Sequence, residues 1–126
     1  MSTKRKIRIT IVEDEPLWQQ GIQALLGFEP SIDLVATFMT SEDALAGIQA
    51  KSCDIVLMDW KLPGNLNGIE LANELLKRGY AASQIILITG SPVDQLPENA
   101  YGYVSKPSIA SQLIPTILSI AEVLSL

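Results

Sequence analysis

The chain has 126 residues, 48% of them apolar and 18% charged, a size suited to one core and a balance that excludes a mainly disordered polypeptide. Nine Lys and Arg against fourteen Asp and Glu give a net charge of −5, with four of the nine bases crowded into Lys4, Arg5, Lys6 and Arg8, which argues against a surface that grips nucleic acid. Histidine is absent, which removes histidine-based triads and metal sites, the single Cys53 has no internal disulfide partner, and no apolar run reaches the ~18 residues of a membrane span.

Ile7 to Val12 is β-branched and stops at Glu13-Asp14-Glu15-Pro16, the acidic-then-proline signature of a helix start. Leu17, Ile22, Leu25, Leu26 and Phe28 then recur at helical spacing, with Gly27 and Pro30 as stops. Leu34 to Phe38 reads as a second strand, Thr40 to Asp43 as a cap with an acidic first turn, and Ala44 to Lys51 as a short helix. Asp54 to Met58 is nearly unbroken apolar, as expected of a central parallel strand covered on both faces, and ends at Asp59. Beyond the loop from Trp60 to Leu66, Asn67 and Glu70 stand in capping-box spacing before a helix that turns Ile69, Ala72, Leu75 and Leu76 inward and closes at Gly79. Gln84 to Thr89 is a fourth strand, Gly90 to Ala100 a proline-punctuated stretch, Tyr101 to Ser105 a fifth strand, and about Ile109 to Leu124 a last helix, capped by Ser108 and kinked at Pro115.

Five strands alternating with four or five helices at this length predict an α/β fold with a five-stranded doubly wound parallel sheet; an eight-stranded barrel needs about twice the residues. Without linker or repeat, residues 1–126 are expected to form one domain with its core in about 6–124. In such sheets ligands bind beyond the carboxyl ends of the strands. Glu13 and Asp14, Asp59, Thr89 and Lys106 all fall there. Three carboxylates at one edge repel one another, and a hard divalent cation such as Mg²⁺ is the usual remedy. A carboxylate beside such a cation can attack a phosphoryl group to give an aspartyl phosphate, while an ammonium and a hydroxyl share the charge on the phosphoryl oxygens. Lys106 and Thr89 are of those types.

Val12-Glu13-Asp14, Ile55 to Asp59 with Pro63 after it, Ile86 to Gly90, and Gly102 to Pro107 together resemble the response-regulator receiver domain of two-component signalling. The resemblance covers roughly residues 6 to 124 and implies the strand order 2-1-3-4-5. It makes Asp59 the phosphoacceptor, Asp14 a direct Mg²⁺ ligand, Glu13 its neighbour acting often through water, and the Lys61 carbonyl a further ligand. It also makes Lys106 the partner of the phosphoryl oxygens, Thr89 a hydrogen-bond donor to one of them, and Tyr103 an aromatic whose rotamer follows Thr89. The Lys106–Pro107 bond would be cis. The implied protein is a cytoplasmic phosphoryl acceptor and not an enzyme beyond its own phosphorylation and dephosphorylation. Its partners would be a histidine kinase or phosphotransfer protein, with a homodimer as a further possibility and no membrane. The opening Lys6 to Leu26 is similar to receivers that carry a helix-turn-helix DNA-binding domain.

Plainer roles stay open for the same residues: a turn for Asp59, dipole partners of a helix for Glu13 and Asp14, a half-buried aromatic for Tyr103 and a small buried group for Cys53. Only sixteen residues separate Thr89 from Lys106, with Pro92 and Pro97 among them, so the family's usual fourth helix is expected to be shortened or missing, which touches the output surface and leaves the chemistry intact. Trp60 and Lys61 are expected at the site mouth. The alternatives are a receiver-like interaction module without phosphorylation, and an aspartate-nucleophile phosphatase, which would want a second Asp where Lys61 stands. A flavodoxin-like electron carrier would want a hydroxyl- and glycine-rich cradle in place of Glu13-Asp14-Glu15.

Overall fold

The computed structural model describes residues 6–48, 53–62, 66–81, 84–90 and 102–124. Its elements, in chain order, are β1 (Ile7–Val12), α1 (Pro16–Gly27), β2 (Ile32–Phe38), α2 (Ser41–Gly47), β3 (Ile55–Asp59), α3 (Gly68–Lys77), β4 (Ile85–Thr89), β5 (Gly102–Ser105), a 3₁₀ turn (Lys106–Ser108) and α4 (Ile109–Val123). The strands form one parallel sheet in the order β2-β1-β3-β4-β5. β3 and β4 are buried at every position, as their unbroken apolar sequences require. Helices cover both faces. Ile9, Ile11, Leu57 and Ile88 pack with Ile22 and Leu26 of α1 and Leu113 and Ile117 of α4 on one side, and Val12, Val56, Met58 and Leu87 pack with Ala44 of α2 and Leu71 and Leu75 of α3 on the other.

Local signals place α3 closely. Asn67 accepts from the Glu70 amide at 2.9 Å while Glu70 accepts from the Asn67 amide at 3.1 Å, the reciprocal capping box. Gly79 leaves the helix with φ of 101°, which an L side chain resists.

Elsewhere tertiary contacts reset the boundaries. β2 begins at Ile32, because Ile32 and Asp33 pair with Ile7 and Arg8, and an irregularity between Ile9 and Thr10 skips Val35. α2 ends at Gly47, not Lys51. Ile48 turns extended and is buried, and the Arg78 guanidinium donates to the carbonyls of Leu45 and Ile48, satisfying the helix end. Residues 49–51 of the expected helix lie outside the described residues. Asp54 precedes β3 as a buried anchor, accepting from the Arg8 amide at 2.8 Å and pairing with its guanidinium at 3.3 Å. Ser108 gives α4 no side-chain cap, since the 3₁₀ turn feeds the helix directly. α4 runs on through Pro115, which is exposed, so water can reach the Ser111 carbonyl that lacks its usual amide partner. Among the described residues no peptide bond is cis, so the expected cis Lys106–Pro107 bond is trans. The expected curtailment of the helix between Thr89 and Lys106 falls on residues 91–101, outside the described residues. Among those described, no helix is long and apolar enough to cross a membrane.

Candidate functional site

Parallel registers align the strand ends: Val12 lies beside Met58, Asp59 beside Ile88 and Thr89 beside Ser105. The chain therefore leaves β1, β3, β4 and β5 at one edge, around a cleft of about 550 Å³ whose lining includes Asp14, Trp18, Asp59, Thr89 and Lys106. Glu13, Asp14, Asp59, Thr89 and Lys106, the polar residues singled out beyond the strand ends, all meet here, whereas the expected switch residue Tyr103 stands apart. Tyr103 pairs with Leu87 on the edge strand, two positions before Ser105, and is about one-third exposed.

Lys106 organises the cleft. Its Nζ lies 2.8 Å from Glu13 Oε1, 3.2 Å from Asp59 Oδ2 and 3.8 Å from Glu15 Oε1. The lysine and its first two partners are buried, whereas Glu15 is exposed. The Lys61 amide donates to Asp59 Oδ1 at 3.1 Å, so both Asp59 oxygens are held. Glu13 continues the β1–β2 ladder through its amide to the Phe38 carbonyl at 2.9 Å, and its Oε2 accepts from the Glu15 amide at 3.2 Å. Glu15 itself is the α1 N-cap without a side-chain cap bond, and no acid stands in the first turn of α1. The acids ahead of Pro16 thus serve the cleft more than the helix.

Burial pushes the Glu13 carboxyl up to about 7; the Asp59 charge adds to the rise and the Lys106 ammonium opposes it. Burial pulls the Lys106 pKa down, but Glu13 and Asp59 outweigh it, so the ammonium is held above its ordinary 10.5. Glu13, Asp14 and Asp59 each place a carboxylate oxygen within 4.8 Å of the others. Three carboxylates against one buried ammonium leave an excess of negative charge. Glu13 Oε1 is buried and, among the described residues, meets Lys106 as an ion pair without a well-angled hydrogen bond. An all-oxygen donor set of this charge fits a hard cation such as Mg²⁺.

Trp18 was not among the residues the sequence pointed to. Its ring lines the cleft, with the Lys106 Nζ 4.9 Å from the ring centroid. Trp60, expected at the mouth, packs instead against the core on the α2–α3 side. Trp18 shares the inward stripe of α1 with Ile22, Leu25 and Leu26, whereas Leu17 and Phe28, which the apolar spacing includes, are 82% and 85% exposed.

The response regulator receiver domain family matches residues 9–118. The transcriptional regulatory protein DegU of Brevibacillus brevis is 27% identical over 124 residues, covering 94% of this chain and 52% of that protein. UhpA of Salmonella typhimurium, also a transcriptional regulatory protein, is 30% identical over 118 residues, covering 91% of this chain and 59% of UhpA. The chain thus spans between 52% and 59% of the length of these relatives. A LuxR-family two-component response regulator from Aurantimonas sp. SI85-9A1 superposes with a TM-score of 0.81 at 27% identity, covering 93% of this chain and 86% of that one. The isolated REC domain of RcsB from Salmonella enterica serovar Typhimurium, solved with the phosphomimetic BeF3−, shares the fold with a TM-score of 0.82 at 17% identity, covering 94% and 90%. With the sheet order, the acidic strand ends and the lysine after β5 in agreement with a family match over nearly the whole chain, this protein belongs to the response regulator receiver domain family.

Proposed function

We propose that Asp59 accepts a phosphoryl group from a phosphohistidine of a histidine kinase or phosphotransfer protein. The observation that carries this reading is the Lys106 ammonium 3.2 Å from the Asp59 carboxylate, in a cleft where Glu13 and Asp14 converge on the same point. An ionised carboxylate attacks without a general base. An Asp59 oxygen forms the new bond to phosphorus, the bond from phosphorus to the donor's ring nitrogen breaks, and the imidazole departs with that electron pair. Lys106 moves from pairing with Asp59 to pairing with a phosphoryl oxygen, and the Thr89 hydroxyl donates to another. Tyr103 follows Thr89 through the β4–β5 pair. Glu13, Asp14, Asp59 and the Lys61 carbonyl would hold Mg²⁺, which when bound neutralises charge on the phosphoryl oxygens.

The match to DegU and UhpA supports a further reading, that the domain is the N-terminal part of a cytoplasmic DNA-binding transcriptional regulator. Incubation with acetyl phosphate and Mg²⁺ tests the chemistry by intact mass. One phosphoryl increment, labile to hydroxylamine and lost in Asp59→Asn, is expected. A label that resists hydroxylamine sits on a hydroxyl side chain and refutes the assignment.

A further inference from the structure

Lys106 must do two things that conflict. It is buried against the Glu13 and Asp59 carboxylates, yet a phosphoryl group on Asp59 requires its N–H donors to be re-aimed. A side chain that attracts the ammonium without taking a directional hydrogen bond would keep it in the cleft during that exchange. Trp18 has the geometry: the Nζ lies 4.9 Å from its ring centroid, inside the ~6 Å within which an indole face attracts a cation. The ring is fixed from behind, because Trp18 lies two residues after the Pro16 that opens α1 and packs on the core beside Ile22 and Leu26. An attraction to the ring face changes little as the ammonium rotates, unlike an ion pair with one oxygen.

We infer that Trp18 is the positioning residue for Lys106 in phosphoryl transfer to Asp59, a role that rests on the reading of Asp59 as phosphoacceptor. Trp18 touches neither the phosphoryl group nor the attacking oxygen and acts through the ammonium alone. Glu15, exposed and 3.8 Å from the same Nζ, offers the ammonium a competing position toward solvent, and the ring face holds it against that pull.

Trp18→Leu keeps an apolar side chain on the core and removes the ring; Trp18→Phe keeps a ring with a weaker face. In Trp18→Leu the rate of labelling by acetyl phosphate is expected to fall about 3- to 10-fold, the size of one cation–π contact in a partly desolvated site, with Trp18→Phe lying between it and the parent chain. The Lys106 side-chain proton resonances are expected upfield of ordinary lysine positions in the parent chain, from the ring current of the indole face, and should return toward those positions in Trp18→Leu, which reports the contact itself, while the intermediate rate of Trp18→Phe ties the rate to the ring face. Should Trp18→Leu fail to fold, Trp18→Phe carries the test with the same two measurements. Labelling of a folded Trp18 variant at the parent rate, or Lys106 resonances that ignore the substitution, overturns the role of Trp18 while leaving Asp59 as acceptor. A parent chain that takes no label overturns the acceptor reading and this role with it, and the resonances then show whether the contact itself exists.

Discussion

Raising the pH of the metal-free chain should cost it stability, against the trend that salt-bridged carboxylates usually set. Glu13 is 1% exposed, and burial raises its carboxyl from an ordinary 4.5 to about 7. Between those values the folded chain binds more protons than the unfolded one, so the slope of unfolding free energy with pH is negative. The penalty is absent below about 4.5 and complete above about 7. The rise of about 2.5, at ~1.36 kcal/mol for each tenfold change in proton affinity, sets a ceiling of roughly 3 kcal/mol. Lys106 contributes nothing in this window, because its raised pKa leaves it charged in both states. The assay is urea unfolding in EDTA from pH 5 to 8, comparing the parent chain with Glu13→Gln. The parent should lose about 2 to 3 kcal/mol relative to the variant across that range, and Mg²⁺ should restore it by binding the ionised cluster. Parallel pH profiles for the two proteins would refute the placement of Glu13 as a buried, strained acid.

Three other outcomes follow from the same geometry. Mg²⁺ should alter Trp18 emission in a Trp60→Phe background, since a cation at Glu13, Asp14 and Asp59 draws those carboxylates away from the ammonium that stays over that ring and so changes the charge around the indole, and a response unchanged by Asp14→Ala removes the metal site as described. Gly68→Ala should destabilise the fold by about 2 kcal/mol or more in a chemical denaturation series, because its Cβ would stand 2.5 Å from the Asp59 carbonyl oxygen and 2.9 Å from that of Trp60; a shift under ~0.5 kcal/mol contradicts this close approach. Hydrogen exchange with and without beryllofluoride should differ mainly across residues 89–107 and near Asp59, and protection concentrated on the first helix or on residues 44–51 would rule out the Thr89–Tyr103 route.

The parts of this protein legible in its sequence are those governed by short-range chemistry. Asn67 and Glu70 specify the start of α3 because the capping box closes within three residues, Gly79 ends it by its own conformational freedom, and the unbroken apolar runs of β3 and β4 mark strands covered on both sides. The alternation of strands and helices then carries Glu13, Asp14, Asp59, Thr89 and Lys106 to one edge, since parallel strands all leave the sheet there. Other features needed the tertiary structure. β2 gains Ile32 and Asp33 because β1 offers partners, and α2 stops early because Ile48 is drawn into the core and Arg78 reaches its carbonyls. Whether Leu17 or Trp18 faces inward depends on the rotation of α1 about its axis, which the packing of Ile22 and Leu26 on the sheet sets. That rotation brings an indole over an ammonium 88 residues further along the chain, a contact that no local pattern encodes, because it exists only where α1 and the turn after β5 meet.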